Sequence, residues 1–106
     1  MTSPPVPFAA TIVHEQGVLT VSVSGEFEGA NVESFDAVTG RIDILRPRLV
    51  VLDLASVALI DSAAIGAIMR FRQRFHELET DLQIRAPRPF QKRLFEITGL
   101  SHVLAD

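Results

Sequence analysis

The hydroxyl of Ser62 has the most informative setting in the chain. Asp61 precedes it, an apolar run ends just before it, and a helical pattern begins with it. A serine in that place has two uses. As an N-cap, its oxygen accepts from a backbone N–H one turn in, worth about 1 kcal/mol. As a phosphoacceptor, it would carry about −1.5 to −2 charges. A helix start tolerates such a dianion, because its N–H groups are unpaired and its dipole end is positive. Inside a protein–protein contact the same charge breaks the contact by repulsion and desolvation. The second reading is therefore a reversible switch without refolding. Asp61 would sit beside that phosphate, and Glu28 would join it if the loop after Gly25 lies alongside.

Counting about 100° per residue, Ser62 shares a helix face with Gly66, Met69 and Gln73, and Ile65 lies to one side. Gly66 in a helix interior costs about 1 kcal/mol relative to Ala. Close approach of another chain would explain it, and so would a fit against the sheet. Met69 and Ile65 lie off the core stripe. They form a small apolar patch suited to adaptable contacts, or they are partly covered by a loop. The expected partner-binding set is Glu28, Asp61, Ser62, Ile65, Gly66, Met69 and Gln73.

Other chemistry finds little footing. The chain has no Cys, so no disulfide framework or thiolate metal site is possible. His14, His76 and His102 have no ligand spacing, and no metal is expected. Asp53 and Asp61 suggest paired carboxylates, but Asp53 can equally end a strand and bond nearby amides. Ser62 is not in a Gly-x-Ser-x-Gly elbow and no His is placed to pair with it, so no catalysis is expected. No Gly-rich phosphate cradle exists, so no cofactor is expected. The formal charge of −3 argues against general nucleic-acid binding and against a polybasic membrane anchor. No apolar run is long enough to span a bilayer, and the reading is a cytoplasmic protein without direct membrane insertion. At 106 residues, 47% hydrophobic and 22% charged, the chain is sized for one domain with one core. Residues 1–7 read as a flexible lead-in and 8–106 as the domain.

The elements that must position Ser62 follow from periodicity. Phe8–His14 and Val18–Ser24 read as a hairpin turned at Gln16-Gly17. Gly25–Gly29 reads as a loop, with Asn31 as the next N-cap. Val32, Phe35, Val38 and Ile42 form a helical stripe that Pro47 ends. Leu49–Leu54 lacks alternation, like a strand buried on both faces. Ala55–Asp61 reads as a seven-residue loop. Ala64, Ile68, Phe71, Phe75 and Leu78 make the next helical stripe, with Arg70, Gln73, Arg74 and Glu77 opposite. A strand over Leu82–Ala86, a helix over Arg88–Ile97 stopped by Gly99, and a short packed segment at Leu100, Val103 and Leu104 complete the chain. The order β-β-α-β-α-β-α predicts an α/β domain with a mixed sheet and helices packed on it.

Three motifs in sequence resemble those of STAS domains of the anti-sigma factor antagonist family. Gly25-Glu26-Phe27-Glu28 is similar to that family's Gly-Glu-Leu-Asp. Val50–Leu54 followed by Ile60-Asp61-Ser62-Ala63-Ala64-Ile65-Gly66 resembles its strand and Asp-Ser-Ser/Thr-Gly-Leu-Gly. Arg93–Leu100 looks like its closing helix and Thr/Ser-Gly-Leu turn. The resemblance implies a sheet of four to five strands with helices mainly on one face. It implies a regulator that binds an anti-sigma factor of the serine-kinase type and frees the sigma factor. The kinase then uses ATP to phosphorylate the serine after the motif Asp, which here is Ser62, and a phosphatase resets the switch. Ala63 and Ala64 depart from the motif's hydroxyl and Gly, and Glu28 stands where Asp is usual. A non-switching role stays open: a STAS scaffold subunit of a stress-signalling assembly or of a lipid-transport ATPase complex. Oligomeric state is left open between monomer and dimer.

Overall fold

Gln16 (φ 53°) and Gly17 (φ 80°) both take left-handed backbone, the pair of conformations that closes a two-residue hairpin with the correct twist. They join β1 (Ala9–Glu15) to β2 (Val18–Phe27) in antiparallel register, closing at Glu15 opposite Val18. The computed structural model describes residues 7–104. The rest of the expected lead-in, residues 1–6, lies outside them, as do residues 105–106.

Three further segments build a mixed sheet ordered β1-β2-β3-β4. β3 (Leu49–Ile60) runs parallel to β2, and β4 (Asp81–Arg85) runs parallel to β3. α1 (Gly29–Thr39), α2 (Ser62–Glu77) and α3 (Pro89–Ile97) follow β2, β3 and β4 in turn. On the face toward the helices, Leu19, Val21, Val50, Leu52, Leu54 and Ile84 are fully buried. On the other face Thr20, Ser22, Ser24, Val51 and Asp53 are only half-buried. The helices therefore cover one side. β3 is not buried on both faces as its composition suggested; Val51 and Asp53 look out through an uncovered sheet. Rings link the layers from Phe8 through Phe27, Phe35 and Phe71 to Phe75, with successive centroids 4.8 to 5.6 Å apart.

Two expected loops are strand. β2 continues through Gly25 to Phe27, and β3 continues through Ala55 to Ile60. The reason is bulging. The β2–β3 register shifts between Ser22 and Ser24 and again between Gly25 and Glu26, each time adding one residue on β3. Alternation fails there without the strand ending. Gly25 (φ 85°) supplies the left-handed backbone at the second shift. The amide of Gln91, on α3 and fully buried, donates to the carbonyls of Leu54 (2.8 Å) and Val57 (3.1 Å) in the bulged stretch.

Smaller differences concern ends. Glu28, not Asn31, holds the N-cap position of α1, with no side-chain cap bond; the Asn31 amide donates to the Glu26 carbonyl instead, at 2.8 Å. α1 stops at Thr39, and Ile42 is buried from a separate 3-10 turn over Ile42–Leu45, while Val38 is exposed. Leu78 caps α2 and is 50% exposed, outside the core stripe. Arg74 does not lie out in solvent with Gln73: its guanidinium covers the Phe75 ring and donates to the Thr39 carbonyl. Gly99 and Leu100 follow α3 as expected, and Leu104 bridges to Ile84 beside β4.

Candidate functional site

β2 and β3 are parallel neighbours whose last residues, Phe27 and Ile60, are in register. Each is followed almost at once by a helix, so the N-termini of α1 and α2 open side by side at one end of the sheet. Ligands and partners commonly use this end in parallel α/β arrangements. Asp61 stands at the junction. Its backbone N–H extends the ladder to the Phe27 carbonyl at 3.2 Å.

The Asp61 carboxylate serves both helices. Oδ1 accepts from the Ala64 N–H of its own helix at 2.9 Å, and Oδ2 accepts from the Gly29 N–H of α1 at 2.9 Å. The Ala64 and Gly29 amides hold the Asp61 carboxyl below its ordinary value of 3.8. With the folded-state pKa depressed, the contribution of this group is complete above the unfolded value and is lost as pH falls through the lower folded one. In an acid titration followed by NMR, the Gly29 and Ala64 amide resonances are expected to move together, with a midpoint below 3.8. The Asp61→Asn protein should show no such transition. Separate midpoints for the two amides would mean that one carboxylate does not govern both.

The capping role at this helix start is taken by Asp61. Asp61 is the N-cap of α2, and Ser62 is the first helical residue. Ser62 is exposed, and among the described residues no side-chain hydrogen bond involves its hydroxyl. The cap reading of Ser62 is overturned because a longer-reaching carboxylate one residue earlier already satisfies the amide.

The rest of the expected surface is partly assembled. Glu28 immediately precedes the Gly29 amide bound by Asp61, so it reaches the same junction from α1. Gly66 is half-buried, Met69 is 46% exposed, and Gln73 is exposed with its amide donating to Glu77 at 3.2 Å. Ile65 is the exception. It is 8% exposed and belongs to the core, so it adds nothing to a surface patch beside Met69. The buried arc of α2 is wider than the stripe of Ala64, Ile68, Phe71 and Phe75, and Ile65 falls inside it. For Gly66, an added Cβ would meet only the Arg70 guanidinium, at 3.5 Å, an ordinary contact. Packing within the chain does not demand glycine there.

The two aspartates have separate partners. Asp53 accepts from the Ala55 N–H at 2.9 Å and faces Arg85 at 3.6 Å across the uncovered side of the sheet. Among the described residues no group of three or more His, Cys, Asp or Glu could hold a metal ion, and no helix is long and apolar enough to cross a membrane.

Two contributors were not singled out in the sequence. Arg70 ties α2 to α1 through Asp36 at 3.6 Å, next to Gly66. Gln91 secures the bulged end of β3 that delivers Asp61. Its position four residues before Phe95, on the buried side of α3, is the one signal that marked it.

The sequence model of the STAS domain matches residues 9–105. The chain also superposes on solved structures. One is an anti-sigma factor antagonist from Mycobacterium paratuberculosis, with TM-score 0.84 and 24% identity, covering 97% of this chain and 87% of that one. Another is the anti-sigma factor antagonist SpoIIAA in its unphosphorylated form, with TM-score 0.74 and 17% identity, covering 94% and 87%. A third is the Bacillus cell fate determinant SpoIIAA in its phosphorylated form, with TM-score 0.75 and 15% identity, covering 92% and 90%. At these identities the likeness is one of fold.

Proposed function

The chain belongs to the STAS domain family, and from that premise we propose that it is an anti-sigma factor antagonist switched at Ser62. In this reading it docks an anti-sigma factor of the serine-kinase type through the end of the sheet where α1 and α2 begin. Docking frees the sigma factor. Phosphorylation of Ser62 by that kinase, with ATP bound by the kinase, ends the contact, and a phosphatase restores it.

One observation carries the proposal: the division of labour between Asp61 and Ser62. Asp61 takes one amide at each helix start, and Ser62 is left exposed with no side-chain hydrogen bond among the described residues. A serine that capped the helix would have its oxygen engaged with the backbone. The test is incubation with the cognate kinase and ATP, with the modified residue mapped by mass spectrometry. Phosphate on Ser62, and none on the Ser62→Ala protein, is the expected result. Binding without phosphate on Ser62 would remove the switch. Ala63 and Ala64, which depart from the family motif, favour the non-switching scaffold reading in that case, and recovery of a transporter ATPase or a stress-signalling assembly as the partner would support it.

Gly66 gives a second check on the same surface. Gly66→Ala should stabilise the free protein by about 0.5–1 kcal/mol, because alanine fits and favours helix. The same substitution should weaken docking, because the methyl stands on the face that holds Ser62 and Met69. Thermal melts and a binding titration on one preparation would show the two opposite changes. A stabilised variant that binds as well as the parent would mean no chain approaches closely at Gly66.

A further inference from the structure

β1 is a free edge of the sheet: β2 pairs with one side of it, and among the described residues no strand pairs with the other. A two-residue hairpin is closed by a pair that exchanges both backbone bonds, and such pairs alternate along an antiparallel ladder. Glu15 opposite Val18 closes this one. Val13, Thr11 and Ala9 therefore bond to β2, and the N–H and C=O groups of His14, Ile12 and Ala10 point out from the edge. Bare edges invite a further strand, and proteins blunt them with Pro, Lys, bulges or short length. β1 has none of these. It runs seven residues, Ala9–Glu15, without Pro, Lys or Arg, and its register with β2 is unbroken. The opposite edge differs: β4 has five residues with Asp81 and Arg85 at its ends, and Leu104 bridges to Ile84 on its outer side.

The helix above this edge says which strand completes it. α1 packs over both β1 and β2, with α2 on its other flank. Arg70 of α2 reaches Asp36. Asp36 lies about 100° round α1 from the buried Phe35, and Ser34 lies about 100° the other way. Ser34 therefore faces the β1 edge, and Ala30 and Val38, four residues to either side, share its row. All three are exposed and uncharged. A second β1 laid antiparallel along the first puts a two-fold axis half a strand spacing beyond the edge, with the second α1 on the same side of the joined sheet. With strands about 4.8 Å apart and each α1 axis midway between β1 and β2, the two helices stand about 10 Å apart, the distance at which helices pack. An isolated peptide strand would leave this row of α1 uncovered.

We propose that β1 pairs antiparallel with β1 of a second copy, with Ile12 opposite Ile12 at the two-fold axis and Ala10 opposite His14. The four strands of each copy then make one continuous sheet. On the uncovered face Val13, 53% exposed, gains Thr11 of the second copy as its cross-strand neighbour. On the helix face the two rows of Ala30, Ser34 and Val38 meet. The contact is isologous and stops at a dimer. The ends where α1 and α2 begin face opposite directions along the joined sheet, so one dimer presents two docking surfaces. The proposal does not depend on phosphorylation of Ser62.

Sedimentation of the full chain from micromolar to millimolar concentration, with amide exchange followed by NMR on the same samples, tests it. The mass is expected to rise to that of a dimer and no further. The Ala10, Ile12 and His14 amides should gain protection as the dimer forms. The Thr11 and Val13 amides, bonded to β2, should be protected at every concentration. Ser34→Arg and Ser34→Glu each set like charges together at the two-fold axis and should weaken the dimer about tenfold or more. An equimolar mixture of the two variants should dimerise again, a recovery that misfolded proteins cannot give. A chain that stays monomeric, a mass beyond the dimer, a dimer whose Ile12 amide exchanges freely, charged variants that dimerise like the parent, or a mixture that does not recover would each overturn the proposal. So would a monomer whose edge amides become protected only when a kinase-type anti-sigma factor is added, which would assign the edge to that partner.

Discussion

Ser62→Asp is expected to lower affinity for a serine-kinase anti-sigma factor by at least about tenfold, or about 1.4 kcal/mol. The local charge explains why. One amide at each of these helix starts, Gly29 and Ala64, is already held by Asp61. A new carboxylate at position 62 joins Asp61 and Glu28, while residues 26–40 and 49–69 contain no Lys or Arg. Arg70, the next base along α2, already faces Asp36. A partner packed over this end must therefore bury uncompensated charge. The fold itself should be undisturbed, since an acid in the first turn of a helix is favourable. Ser62→Asn, with similar size and no charge, should bind within a few-fold of the parent. Calorimetric titration of the three proteins decides it. Equal affinity for the Asp and Ser forms would remove charge at this position as the means of release.

The largest effect on stability is expected at Gln91. Replacing it with Leu keeps the volume and removes the amide that donates to the Leu54 and Val57 carbonyls. It also removes the oxygen that accepts from the Arg88 N–H at 3.3 Å at the start of α3. Leaving buried carbonyls unpaired costs about 1–3 kcal/mol each. The pair, partly relieved by water at the bulges, should cost about 2–4 kcal/mol. For a domain of this size that is about 10–20 °C in melting temperature. Gln91→Glu retains an acceptor for Arg88 but sets an acid against the two strand carbonyls in a buried site, where its ionised form is disfavoured. Melts of both variants should fall well below the parent. A Leu variant that melts with the parent would show that these carbonyls find other partners.

The parts that were legible in the sequence are those whose signal is local. The Gln16-Gly17 turn can be read because Gly17 readily takes the positive φ that a tight hairpin turn requires, and Gln16 adopts it alongside. The core stripe of α2 can be read from Ala64, Ile68, Phe71 and Phe75, because one face of an isolated helix predicts its burial. What failed depends on partners distant in sequence. Ala55–Ile60 reads as loop because its alternation is broken, and only the Gln91 amide, more than thirty residues later, shows where the displaced carbonyls go. Asn31 is a reasonable cap by type, but Asp61 from another element had already supplied the bond. Ile65 is off the stripe by angle, yet it is buried in the core cluster. In the candidate site, Ser62 and Asp61 were identifiable from the strand-to-helix transition, whereas the exchange of their roles was not.

The bulges on β3 come as a pair, and the number matters. Inward-facing residues run Val50, Leu52, Leu54, then Val57, then Ile60. The first surplus residue moves the inward set from even to odd positions, and the second moves it back. With one alone, the strand would finish half a turn out of phase. Ile60 would face solvent, and the aspartate that joins the two helices would face the wrong side. The direction of the functional end is set by the parity of two irregularities that cancel each other.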